Sequence, residues 1–191
     1  MADDATAEPA YEAVTSDADV VAWSRAYCRQ VRREYGVAVR FDLVDWTVST
    51  RAKCRAAAVK RPKLPDATVG EPYDWDGVAG SDGRPLPCTV SLTREAFETF
   101  DRAEWAATLR HELIHVEQYQ RDGTTGHGAA FRERAAELDT EVHCPAFAEP
   151  KHVLACADCG GVVARRYRDC PLVDERDRYR SDCCGAGLEL A

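Results

Sequence analysis

The sequence contains no apolar run approaching the roughly 20 residues that a membrane-spanning helix needs, so we expect no part of it to cross a bilayer. Nothing near the N-terminus resembles a signal peptide. The sequence also lacks an internal repeat and a glycine-rich phosphate-binding motif, which argues against a solenoid and a P-loop nucleotide site. Histidine is scarce, with five in 191 residues, whereas there are nine cysteines. The histidines and cysteines therefore carry most of the chemical information.

Residues 111–115 read His-Glu-Leu-Ile-His, an HExxH motif. On a helix, residues four apart lie on the same face, so His111 and His115 can reach one metal ion with Glu112 beside them. Taken alone, the motif also fits two surface or core histidines. A third histidine in the same short stretch, His127, makes a metal site the better interpretation.

The residues around the motif favour the helix that it needs. Asp101 stands at an N-cap position and Glu104 follows three residues later, as in a capping box. No glycine or proline interrupts the next residues, and Gly123 follows Asp122 as a turn signal. The sequence predicts a helix over about 102–120.

A catalytic zinc ion keeps three protein ligands and one open position, so the motif needs a third ligand. His127 lies in Gly126-His127-Gly128, one short turn after the motif helix, and we favour it because the glycines permit close backbone approach. Glu133 and Glu137 on the next helix are alternatives, although both also fit a solvated helix face.

Three neutral imidazoles leave zinc with most of its charge, which lowers the pKa of a bound water to about 7. Glu112 would take the proton from that water as it attacks a carbonyl, and would pass it to the leaving amine. The predicted reaction is peptide hydrolysis without a covalent intermediate.

The segments 111–116 and 126–131, which read HELIHV and GHGAAF, resemble the SprT-like zinc metalloproteases, and 48–53 and 89–92 resemble the strands of that family. The resemblance implies an α+β fold, with a zincin-like metalloprotease domain containing a small antiparallel sheet and the HExxH helix, and with a C-terminal zinc ribbon. It implies protein substrates bound to or crosslinked with DNA. The zinc ligands and the catalytic base carried over from the family are His111, His115, His127 and Glu112.

The C-terminal residues predict a second, structural zinc site. Cys156 and Cys159 form a CxxC motif, and Cys183 and Cys184 follow about two dozen residues later. A second CxxC would need cysteine at position 181, where the chain has serine, so either Cys183 bends round to bind or Cys170 replaces it; we favour Cys183. A disulfide-linked tail is the alternative. The weaker zinc candidates are His143, Cys144 and His152, and the cysteines predicted to be buried hydrophobes are Cys28, Cys54 and Cys88.

These signals predict an acidic disordered tail over 1–15, a SprT-like metalloprotease domain over 16–150 and a zinc ribbon over 151–191. A helix is expected over 17–35 and a strand over 37–43. Prolines and glycines predict a long loop over 60–86. Thiols without an export signal fit a reducing cytoplasm. The expected cofactors are two Zn²⁺ ions, one catalytic and one structural.

The net charge of −8 opposes DNA binding. Residues 151–191 contain equal numbers of acidic and basic residues, so the whole net negative charge lies in 1–150. Within that acidic part, a basic run without acids offers a possible phosphate track. If 51–55 is extended, its cations share one face; the alternative is a solvated strand edge. The excess of arginine over lysine and the many acids also fit a halophilic composition. The basic run consists of Arg51, Lys53, Arg55, Lys60, Arg61 and Lys63.

Three functions fit the sequence. The first is a zinc endopeptidase acting on DNA-associated or DNA-crosslinked proteins, with contacts to DNA through the basic run or the ribbon. The second is the same peptidase without a nucleic-acid role. The third is a zinc-stabilised nucleic-acid or transcription-associated binding module without peptidase activity, which the intact Glu112 opposes. The oligomeric state is open.

Overall fold

The computed structural model describes residues 10–62 and 87–191. One compact unit ends at Phe147 and a second spans Ala148–Ala191, so the division falls three residues before the boundary expected from the sequence. Residues 1–9 of the expected tail, most of the expected loop over 60–86, and Lys63 lie outside the described residues. In the described parts, no helix is both long and apolar enough to cross a membrane.

In its described residues, the first unit combines four α-helices with a three-stranded sheet whose strand order is β1-β3-β2. Strand β3 pairs parallel with β1 and antiparallel with β2. The expected antiparallel sheet is therefore wrong for the β1–β3 pair, because alternating apolar residues fix the faces of a strand and not its direction, and the long connection from β1 to β3 allows a crossover. The elements are α1 (Asp17–Tyr35), β1 (Val44–Ser49), β2 (Ala57–Lys60), β3 (Cys88–Thr93), α2 (Arg94–Thr99), α3 (Arg102–Asp122) and α4 (Ala129–Glu137).

Helices α1 and α3 have well-defined ends. Ser16 and Asp101 are the N-caps, each in a reciprocal capping box with the acidic residue three positions later. Both helices end at a glycine with positive φ, Gly36 at +61° and Gly123 at +72°, where the left-handed conformation favours glycine. The ends of α3 thus follow from the signals at Asp101 and Gly123, and the helix carries residues 111–115 in its middle.

The core of the first unit lies between α1, α3 and the sheet. Trp23 on α1 and Trp105 and Leu109 on α3 are fully buried. The Trp105 Nε1–H donates a hydrogen bond to Ser24 Oγ (3.2 Å), which joins the two helices at a buried polar pair. This core packs α3 against both α1 and the sheet.

Residues 37–43 do not form the expected strand. Val37 and Val39 are buried and Ala38 and Arg40 are exposed, as the alternation predicts. However, the backbone bonds to side chains of α3 and not to a strand: Ala38 N–H donates to Glu117 Oε1 (2.8 Å), while Arg40 exchanges two hydrogen bonds with the Gln120 amide. A 3₁₀ turn over Phe41–Leu43 then leads into β1.

Residues 10–15 are ordered, in contrast to the disorder expected for that part of the tail. They include a 3₁₀ turn over Tyr11–Ala13. The Tyr11 ring packs against Trp23 and Phe97, with centroids 5.0 and 4.8 Å apart, and its hydroxyl donates to backbone carbonyls of α2 and the residue after it. One aromatic residue is enough to anchor an otherwise polar segment.

The second unit contains an antiparallel sheet of order β5-β4-β6. Leu154, Val173 and Leu188 form its small apolar cluster. A core of this size contributes little stability by itself, so a unit of this kind needs another source of stability. Its elements are β4 (His152–Cys156), β5 (Val162–Arg166), α5 (Pro171–Asp174) and β6 (Leu188–Leu190).

Candidate functional site

Three imidazoles converge in the first unit. His111 and His115 project from one face of α3, and His127 comes from the turn between α3 and α4. The three Nε2 atoms form a nearly equilateral triangle with sides of 3.0, 3.1 and 3.2 Å. Three ring nitrogens this close can all bind one cation.

The triangle fits zinc. Ligand nitrogens bind zinc at about 2.0–2.1 Å with tetrahedral angles, which places two such nitrogens roughly 3.3 Å apart. The observed Nε2 separations of 3.0 to 3.2 Å are within a few tenths of an ångström of that value. Catalytic zinc sites use three protein ligands and leave a fourth position for water, so these three nitrogens could hold such an ion.

Two hydrogen bonds fix the orientation of the α3 imidazoles. His111 Nδ1 lies 2.9 Å from the Glu141 carbonyl oxygen, which only accepts, so Nδ1 carries the proton and Nε2 has a free lone pair. His115 Nδ1 lies 3.0 Å from Gln118 Oε1. The Gln118 Nε2–H₂ donates to the Gly126 carbonyl (3.0 Å), which fixes the amide orientation and makes His115 Nδ1 a donor too.

Phe131 on α4 supports all three rings. It is fully buried, and its centroid lies 4.9, 4.7 and 4.5 Å from those of His111, His115 and His127. Burial lowers the pKa of each imidazole below its ordinary value, that of His115 to about 4. A lowered pKa favours the neutral form of each ring, which is the form that binds a cation.

The turn that carries His127 is held by side chains. Asp122 Oδ1 accepts hydrogen bonds from the backbone N–H and the hydroxyl of Thr124 (3.1 and 2.6 Å), and Gln118 binds Gly126. The close backbone approach expected at Gly126 and Gly128 does not occur. A Cβ built at Gly126 or Gly128 meets no atom of the described residues within 4 Å, and neither glycine has positive φ.

Glu112 lies beside the triangle and is almost completely buried, with 4% of its surface exposed. Burial raises the pKa of its carboxyl to about 7, although a hydrogen bond from the Val59 backbone and the charge of Arg55 act in the opposite direction. Within the described parts of the chain, its Oε2 has no hydrogen-bond partner. The carboxylate thus offers one unpaired oxygen at a pKa suited to exchanging protons near neutrality.

The triangle and Glu112 open into one cleft of about 400 Å³. One wall is the segment 54–59, which includes most of β2, an edge strand. Arg55 and Cys144 also line this cleft. The sequence predicts Arg55 only as part of the basic run and Cys144 only as a weaker zinc candidate, because both come from segments distant from the motif. The sequence reasoning missed Gln118, although its position three residues after His115 on the same helix face was a usable signal.

Other predicted residues lie elsewhere. Glu133 and Glu137 are exposed on α4 and do not join the triangle; Glu137 pairs with Arg134 (2.6 Å). His143 is exposed at the cleft, with its ring centroid 5.6 Å from that of His127. Cys54 is exposed, so its prediction as a buried hydrophobe is wrong, whereas Cys28 and Cys88 are buried.

The basic run is not a regular strip. Residues 51–55 form bends between β1 and β2, so the expectation of an extended segment with its cations on one face is wrong. Lys53 is paired with Glu95 on α2, and Arg55 faces the cleft. Arg51, Lys60 and Arg61 are exposed, before and after the segment 54–59 that lines the cleft.

The second unit brings together the sulfurs of Cys156, Cys159, Cys183 and Cys184, which all lie within 4.8 Å of one another. Cys159 and Cys183 have their sulfurs 3.6 Å apart. Four sulfurs in this arrangement constitute the donor set of a structural zinc site. Cys170 is outside the group and packs instead against the apolar cluster, and His152 binds Asp169 (2.8 Å).

Two matching turns present these sulfurs. Gly160 and Gly185 each have positive φ, and each donates its N–H to the carbonyl four residues earlier, at Cys156 and Ser181. Ser181 therefore occupies the place in its turn that Cys156 occupies in the other, and Cys183 supplies the sulfur that Ser181 lacks. Ser181 Oγ lies 3.1 Å from Cys156 Sγ, and this contact, together with backbone N–H groups, lowers the pKa of Cys156 to about 6.

Comparisons with known proteins agree with this geometry. Residues 25–152, more than half of the chain, match the SprT-like family. A search of curated proteins gives no match. The SprT-like family is related to metalloproteases and associated with zinc, and both sulfur and imidazole groups able to hold a metal are present. The match confirms the resemblance seen in residues 111–131: the chain belongs to the SprT-like family.

Proposed function

We propose that the chain is a zinc metalloendopeptidase whose catalytic zinc is held by His111, His115 and His127, with Glu112 as the catalytic base. The single observation that carries the proposal is the Nε2 triangle with sides of 3.0 to 3.2 Å beside a buried, unpaired carboxylate oxygen. Zinc bound there would polarise the scissile carbonyl and lower the pKa of a coordinated water.

The residues of the chain supply the rest of the reaction. Glu112 Oε2 accepts the proton of the attacking water and returns it to the leaving amine, which its pKa of about 7 permits in both directions. Gln118 and the Glu141 carbonyl keep the imidazoles of α3 in the tautomer that leaves Nε2 free. The edge strand β2 borders the cleft, where a peptide can lie.

A second zinc at Cys156, Cys159, Cys183 and Cys184 would be structural. The four sulfurs could together supply all four ligands that a structural zinc ion takes, which would leave no ligand position for a substrate. The apolar cluster of the second unit is small, and binding of a metal can supply the folding free energy that such a core does not.

We also propose that the substrates are proteins associated with or crosslinked to DNA. The support is the family and the position of Arg51, Lys60 and Arg61, exposed cations that precede and follow the cleft-lining segment 54–59. Phosphate contacts of this kind weaken steeply with salt. Cleavage that depends on DNA should therefore fall as the salt concentration rises.

The test compares wild type, Glu112→Gln and Glu133→Gln, with zinc content and cleavage of a DNA-binding protein measured with and without DNA. Glu133 is an exposed glutamate on α4 and serves as the matched control. We expect two zinc ions in all three proteins, and loss of at least about 100-fold in cleavage rate only for Glu112→Gln. Unchanged cleavage in that variant refutes the catalytic role.

The remaining outcomes separate the alternatives. Cleavage that is equally fast without DNA indicates a peptidase with no nucleic-acid role. Two bound zinc ions, no cleavage by wild type, and retention of DNA indicate a binding module.

A further inference from the structure

Cys144 lies in the same cleft as the three-histidine site but takes no part in it. The residue follows α4 and lines the cleft together with His111 and Glu112. One donor atom from each of these three residues lies within 4.8 Å of those of the other two. The thiol, carboxylate and imidazole form a second group of metal-binding atoms in one place.

Glu112 gives an independent indication that this place can hold a cation. The side chain is 4% exposed, and its Oε2 has no hydrogen-bond partner in the described portion of the chain. A buried carboxylate oxygen without a donor is costly, and a cation would satisfy it. A thiolate beside it selects a borderline or soft cation such as Zn²⁺ over Mg²⁺ or Ca²⁺.

The two groups share His111, so they are adjacent. His111 Nε2 faces the triangle and its Nδ1 is bonded to the Glu141 carbonyl, so this imidazole has no third donor for another ion. An ion added after the triangle is filled therefore has the thiolate of Cys144 and the carboxylate of Glu112 as its protein ligands. Pairs of metal ions in one site commonly lie about 3.5–4 Å apart, so both ions can be present together.

We propose that Cys144 and Glu112 form a second, weaker Zn²⁺ site next to the three-histidine site, and that zinc bound there inhibits the protein. Binding releases the thiol proton to solvent, and water fills the remaining coordination positions. Two protein ligands bind zinc more weakly than three, so the site fills only when zinc exceeds the two tightly bound ions. Inhibition follows because Glu112 can no longer accept a proton and the ion obstructs the cleft.

The binding part of the inference is tested by alkylation of the full-length protein that already holds two zinc ions. Iodoacetamide labelling of Cys144 and Cys54 is followed by peptide mass spectrometry while Zn²⁺ is added in excess. Cys54 is the internal control because it lines the same cleft but is outside the metal-binding group. We expect excess Zn²⁺ to slow labelling of Cys144 at least tenfold and to leave Cys54 within twofold. Equal labelling rates of Cys144 with and without Zn²⁺ overturn the inference.

The inhibition part rests on the proposed peptidase function and uses Cys144→Ser with Cys54→Ser as its control. The cleavage rate of each variant without excess zinc is the reference for its own inhibition. We expect Cys144→Ser to need at least tenfold more Zn²⁺ for half-inhibition, and Cys54→Ser to match wild type. A protein that cleaves nothing contradicts the peptidase proposal while the labelling result still decides the site. A protein that cleaves and resists excess Zn²⁺ contradicts only this inference.

Discussion

Gln118 is the residue whose replacement tests most directly how the three-histidine site is built. Its amide lies between two parts of the site, accepting from His115 Nδ1–H (3.0 Å) and donating to the Gly126 carbonyl next to His127 (3.0 Å). The side chain is 7% exposed, so water cannot easily replace either contact. Gln118→Leu keeps the approximate volume and removes both hydrogen bonds.

The expected loss follows from those two contacts. Removing the partner of a metal-binding histidine typically lowers metal affinity about 10- to 100-fold, which corresponds to roughly 1.4 to 2.7 kcal/mol. Unfolding should also become easier by about 1–3 kcal/mol, because a buried N–H and a buried carbonyl lose their partners. We therefore expect zinc at the three-histidine site to bind 10- to 100-fold more weakly, while the zinc at the four cysteines is unaffected.

Chelator competition on the full chain measures this affinity, and Gln120→Leu is the matched control. Gln120 is also a glutamine of α3, and its amide exchanges two hydrogen bonds with the backbone of Arg40 and not with an imidazole. Its replacement should leave zinc affinity within twofold of wild type. Gln118→Glu, which keeps the acceptor for His115 and loses the donor to Gly126, should be intermediate. Equal affinities for Gln118→Leu and Gln120→Leu would refute the reasoning.

Two further predictions concern charge and sulfur. Because the charge of Arg55 lowers the pKa of Glu112, Arg55→Gln should raise that pKa. The acidic limb of the pH–rate profile should then move to higher pH, since the base acts deprotonated. Arg61→Gln, whose charge is outside the cleft, should leave the limb in place, and a shift to lower pH in Arg55→Gln would contradict the role of Glu112 as the base. Cys183→Ser should reduce the zinc content measured by elemental analysis from two ions to one, whereas Cys170→Ser should retain both; the opposite pattern would show that the ligand set is wrong.

Local signals predicted the parts of the molecule that depend on neighbours in sequence. The capping box at Asp101 and Glu104 and the left-handed Gly123 determine where α3 begins and ends, and helix periodicity then places His111 and His115 on one face. The convergence of His127 with the two histidines of α3 could also be predicted, because the turn that connects them is short. Close approach of the glycines does not produce this convergence; side-chain hydrogen bonds of Asp122 and Gln118 hold the turn.

Features that depend on contacts between residues far apart in the sequence could not be predicted from local signals. The alternation over 37–40 suggests a strand, but the hydrogen-bond partners of Ala38 and Arg40 are side chains 79 and 80 positions later in the chain. The parallel direction of β1 and β3 depends likewise on the path between them. The sequence offers Cys144 only as a weaker zinc candidate, and its proximity to Glu112 becomes visible only in the folded chain.

Phe131 makes the stability of the three-histidine site depend on one short helix. All three imidazoles rest on this ring, and the ring belongs to α4, which has nine residues and begins directly after Gly128. Fraying of α4 would remove the shared support from every ligand at once, so release of zinc and melting of α4 should occur as one cooperative event. Conversely, an ion that binds only the folded form would stabilise α4, which is too short to be a stable helix by itself.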